Sequence, residues 1–108
     1  MELVAEIQAG ACGFQTVVRA TCPDGFHVTL QLQSNCPKVQ GMAASLQSLD
    51  ALDEILRRPL ADTTPIRVAS EHGLHVACLV PVGILKAVEA AAGLALPGRT
   101  EVLVKKVP

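Results

Sequence analysis

Tryptophan and tyrosine are absent from this 108-residue chain, and Phe14 and Phe26 are its only aromatic side chains. A core without aromatic bulk must be built from Ala, Val, Leu and Ile, and single-stranded nucleic acid, which is held by stacking bases on rings, finds no platform. An excess of one charge is also missing. Nine Lys and Arg stand against ten Asp and Glu, for a net charge of −1, so nothing in the balance attracts phosphates or anionic lipid. Long hydrophobic runs are missing too, because the most apolar stretch is broken by Pro81, Glu89, Gly93 and Pro97, which argues against a membrane helix. The opening Met1 to Ile7 is acidic and too short in its apolar run for a secretory signal. Nucleic-acid and membrane partners are therefore not expected, and a cytoplasmic location is.

What is present suits one globular domain over residues 1–108, since 50% of the residues are hydrophobic and 18% charged. Leu3, Ala5 and Ile7 alternate with Glu2, Glu6 and Gln8, the period of a half-buried strand. Gly10-Ala11-Cys12-Gly13 reads as a turn. A second strand carries Phe14, Thr16, Val18, Ala20 and Cys22 on one face, and Pro23-Asp24-Gly25 turns the chain again. In the third strand Phe26, Val28, Leu30 and Leu32 point to the core while Thr29 and Gln31 do not.

Helices then cover the oily face. Ser34 or Asn35 can cap a helix with Cys36 and Pro37 in its first turn and Val39, Met42, Ala43 and Leu46 buried. Asp50 caps a short second helix whose apolar face is Leu52, Ile55 and Leu56. Thr64-Pro65 opens a third with Ile66 and Ala69 inward, and Gly73 closes it. Pro81 starts the fourth, with Ile84, Leu85, Val88, Ala91 and Ala92 on one stripe and Gly93 at its end. After the Pro97-Gly98 turn, a last strand is expected from Glu101 to Val104. The order β-β-β-α-α-α-α-β predicts an α+β two-layer sandwich: a mainly antiparallel four-stranded sheet with helices on one face. With so little aromatic bulk, an exposed apolar strip closed by a homodimer is a further expectation.

This topology sorts the four cysteines. The first strand runs toward the Cys12 turn, the second runs away and the third returns, so Cys36 emerges at the same sheet edge as Cys12. Cys22 is left roughly 25–30 Å away at the other end, at about 3.3 Å per residue. Cys78 lies just ahead of the Pro81 helix, where unpaired backbone N–H groups suit an anionic sulfur, and His75 precedes it by three residues. Cys12, Cys36, Cys78 and His75 are thus a candidate metal set. Three cysteines and one histidine make a tetrahedral zinc site, and three thiolates can also hold an iron–sulfur cluster with the fourth position given to His75 or left open. Paired C-x-x-C knuckles are lacking, so the topology and not a motif carries this reading. Two others stand beside it: buried free cysteines acting as small hydrophobes, and a thiol-redox or interaction module with a protein partner, in which Cys12 or Cys36 is the reactive thiol. His75 taken alone reads as a hydrogen-bonded core histidine, and His27 and His72 as surface residues. Asp50, Asp53 and Glu54 are explained by helix first turns, and no catalytic constellation is visible.

The segments Ala9-Gly10-Ala11-Cys12-Gly13-Phe14, Ser34-Asn35-Cys36-Pro37-Lys38-Val39, His75-Val76-Ala77-Cys78-Leu79-Val80-Pro81 and Ala91-Ala92-Gly93-Leu94-Ala95-Leu96-Pro97 resemble a family of small cysteine-containing proteins of anaerobic bacteria and archaea, a domain of unknown function. The resemblance covers nearly the whole chain. It implies that Cys12, Cys36, His75 and Cys78 belong together, and it implies no activity. Leu79 stands where that family carries proline, a departure that alters the loop and not the ligands.

Overall fold

In the computed structural model, which describes residues 1–108, the alternating stretches become strands β1 (Glu2–Gln8), β2 (Gln15–Thr21) and β3 (His27–Ser34). A fourth, β4 (Ser48–Asp50), completes a wholly antiparallel sheet in the order β1-β2-β3-β4. Helices α1 (Pro37–Met42), α2 (Thr64–Glu71) and α3 (Val80–Ala91) follow the strands, with short irregular helical turns between them. The architecture is the α+β arrangement that the sequence predicts. No helix is long and apolar enough to cross a membrane.

Side-chain period fixes which face of the sheet is covered. Ile7, Val18, Ala20, Val28 and Leu30 are buried together with Val39 and Met42 of α1 and Ile84, Ala87 and Val88 of α3, while Thr29 and Gln31 stay exposed. Each buried Val, Leu or Ile removes apolar area worth about 1.5–3 kcal/mol. Helix α3 lies across β1 and β2, and Gly83 is what lets it come so close: a Cβ built there would run into the Ile7 side chain. The first turns of α3 are thereby seated at the Ile7 end of β1.

Four details depart from the sequence reading. The expected strand Glu101–Val104 does not form; the fourth strand is Ser48–Asp50, which pairs with His27–Thr29. Three residues are too few to show alternation, and Asp50 doubles as the helix cap, its Oδ1 accepting from the N–H groups of Leu52 and Asp53. With β4 on one edge of the sheet, the residues from Arg99 to Lys106 reach no strand of their own chain. Phe26 does not face the helices but is 48% exposed, because Asp24 Oδ1 accepts the N–H groups of both Phe26 and His27 and holds Phe26 in the turn. The short helix after Asp50 does not bury Leu56, which is 65% exposed. Its winding widens to an i to i−5 bond from Arg58 N–H to the Asp53 carbonyl, which rotates Ala51 and Glu54 inward instead. Finally, Cys36 is the cap residue of α1, with Pro37 first inside it, because Asn35 Oδ1 is engaged by the N–H of Gln15 at 2.8 Å.

Candidate functional site

The turn that carries Cys12 closes β1 onto β2. Gly10 and Gly13 both adopt positive φ, which only glycine does at low cost, and the Gly13 N–H donates to the Gly10 carbonyl. Cys12 is left exposed at the tip. Ser34 at the end of β3 pairs with Thr16, one residue past Gln15, which itself stands opposite Gln8. Cys36 therefore emerges beside the base of the Cys12 turn. Its position is held by a relay: Thr16, buried, donates from Oγ1 to Ser34 Oγ at 2.8 Å, and Ser34 Oγ accepts the Cys36 N–H at 3.0 Å.

The third stretch arrives from the helical layer. Lys38 Nζ, in α1, donates to the Gly73 carbonyl at 2.9 Å, and the ring of His72 lies against Gly41, so the loop after α2 is tied to the helix that Cys36 caps. Within that loop the Cys78 N–H donates to the His75 carbonyl at 3.0 Å. That bond makes His75 and Cys78 the two ends of one tight turn over Val76 and Ala77. Two residues later α3 begins, and its Gly83 packs on Ile7 at the end of β1 that leads into the Cys12 turn. Cys36 and Cys78 are both half-buried and both pack against the core; His75 is exposed, not a core histidine.

The structure thus places Cys12 and Cys36 at the same end of the sheet, with the loop that carries His75 and Cys78 tied to the helix that Cys36 caps. It does not draw them into a ligand cage, for no group of three or more His, Cys, Asp or Glu side chains is arranged to hold a metal ion. All four cysteines are free thiols. Cys22 sits at the opposite end, 2% exposed, where its backbone exchanges hydrogen bonds with Met1: the Cys22 N–H reaches the Met1 carbonyl at 3.0 Å and the Met1 ammonium reaches the Cys22 carbonyl at 2.7 Å.

Two charged groups have roles that the sequence reading missed. Glu54, 4% exposed, is a staple and not only a first-turn acid: its Oε2 accepts the Thr64 N–H at 2.8 Å, its Oε1 accepts the Thr64 hydroxyl, and Arg58 Nη1 lies 3.3 Å away. The i, i+4 spacing of Glu54 and Arg58 is the signal that was available. On the surface, His27 Nδ1 and Asp24 Oδ2 are 2.6 Å apart. Donating its ring N–H to the Asp24 carboxylate raises the pKa of His27, and the same bond, with the backbone N–H groups of His27 and Phe26, pulls Asp24 well below the usual carboxylate range. This pair locks the β2–β3 turn, at the Cys22 end. A search of curated proteins and of solved structures returns no match to this chain. A family profile does match, over residues 3–104; spanning all but the first residue of the four strands, all three helices and every candidate ligand, it shows that the chain belongs to the Family of unknown function (DUF6951).

Proposed function

We propose that this protein binds a soft metal ion or a small iron–sulfur cluster through Cys12, Cys36 and Cys78, with His75 as the fourth donor, in the reducing cytoplasm that four free thiols suit. One observation supports the reading: Cys12 and Cys36 leave the sheet at the same end, where the loop that carries Cys78 is tied to the helix that Cys36 caps, whereas Cys22 is built into the core at the other end. The donor chemistry fits, since three thiolates and an imidazole satisfy tetrahedral zinc and three thiolates suffice for a cluster with one open position. The half-buried Cys36 and Cys78 form the fixed half of such a site. Cys12 and His75, on exposed turns, form the half that closes, so binding is coupled to ordering of those turns. We extend the same donor set to the family, as proteins of anaerobic bacteria and archaea.

Protein purified without oxygen and examined by elemental analysis and visible absorption tests this directly. One ion or cluster per chain is expected, lost in Cys36→Ser and Cys78→Ser, weakened in His75→Ala and unchanged in Cys22→Ser. A second reading draws on the packing of Cys36 and Cys78 against the core: the thiols serve as small apolar groups in a module that docks or exchanges thiols with a protein partner. Metal-free protein that also takes up no zinc on titration favours that reading over the first.

A further inference from the structure

The sheet has a free edge, and the chain has a strand-like segment that pairs with nothing. Met1–Cys22 and Ala9–Phe14 are hydrogen-bonded pairs at the two ends of the β1–β2 ladder, and bonded pairs recur at every second residue. The ladder therefore uses the backbone of Leu3, Ala5 and Ile7, and the N–H and C=O groups of Glu2, Val4, Glu6 and Gln8 point away from the sheet. At the other end of the chain, Val102, Leu103 and Val104 are 65%, 71% and 93% exposed, and no backbone hydrogen bond is made beyond Leu94. Yet this is β-branched, strand-forming sequence, and it lies within the stretch that the family profile covers.

We propose that the Arg99–Lys106 segment of one copy adds as a strand to the β1 edge of a second copy, giving a two-fold strand-exchanged dimer. Length and charge both fit. Six extended residues from Arg99 to Val104 span about 20 Å, close to the seven-residue β1. Glu6 on the edge strand and Lys105 and Lys106 beside the segment have no ion-pair partner within the chain. Acidic side chains on an edge strand deter indiscriminate pairing; here they select a strand that carries lysines. Because each copy holds one long free edge, at β1, and one free strand, a single two-fold arrangement satisfies both at once, which a foreign partner does not.

Sedimentation equilibrium of the full chain, with amide hydrogen exchange, tests the proposal. A dimer is expected, with slowed exchange at Val102, Val104 and the outward amides of Val4 and Glu6. Val102→Pro removes a ladder donor from an exposed segment that makes no backbone hydrogen bond in its own chain, so it leaves the fold intact and weakens the dimer by about tenfold or more. Lys105→Glu with Lys106→Glu weakens it as well, and Glu2→Lys with Glu6→Lys restores it in the same chain. A monomer with an unprotected segment overturns the proposal. So does a monomer whose segment is protected, which places the strand on its own β1, and so does a dimer indifferent to Val102→Pro.

Discussion

The two ends of the sheet use the same residue type in opposite ways. At one end Cys22 is sealed: its backbone is tied to Met1 on both sides, its side chain is buried, and the turn beyond it is locked by Asp24 and His27. At the other end the connections are open. Cys12 projects from a glycine turn, Cys36 follows the end of β3 and caps a short helix, and Cys78 closes a surface turn. A cysteine at the sealed end can only pack, whereas those at the open end retain sulfur that can be reached and moved. The difference comes from the backbone around each residue.

Substitutions should separate the two ends, and the largest effect belongs to the element that lies over the strands leading to both. Ile84→Ala in α3 removes a fully buried side chain and should destabilise the fold by about 2–5 kcal/mol in denaturant unfolding, lowering both ends together. Cys22→Ser comes next. It places a hydroxyl in the apolar core with only Asp24 Oδ1 near, 4.0 Å from the present sulfur, and should cost about 1–3 kcal/mol while leaving any bound metal unchanged.

Smaller is the pH dependence of the sealed end. His27 titrates above its ordinary 6.5 in the folded chain, so its contribution is complete below that value and is lost as pH rises through the raised folded value. Asp24 titrates well below its ordinary 3.8, so its contribution is complete above that value and is lost only in strong acid. The pair therefore supports the fold most between about pH 4 and 6.5. Asp24→Asn should lower the thermal midpoint across that window and remove its fall with rising pH in the range just above it. Smallest of all, Cys12→Ser at an exposed turn should change stability by less than about 0.5 kcal/mol, yet reduce bound metal. A large loss of stability there would mean that the open end is not open.

Much of this comparison was legible in the residues. The alternation of Leu3, Ala5 and Ile7, and of Thr16, Val18 and Ala20, set the sheet face, and counting strand reversals put Cys12 and Cys36 together and Cys22 apart. What escaped was short or non-local. Ser48-Leu49-Asp50 is a strand only because β3 offers it an edge. Glu54 becomes a staple only when the chain brings Thr64 back to it. Val102 to Val104 has the chemistry of a strand, but β propensity says nothing about which chain supplies the partner.

The central claim is that the cysteines at the open end act as a set and Cys22 does not. Alkylation of each thiol, followed site by site by mass spectrometry with and without zinc, tests it most directly. The account predicts that zinc slows alkylation of Cys12, Cys36 and Cys78 in concert, with Cys22 slow in both conditions because it is buried. Equal rates with and without zinc at those three positions would contradict it.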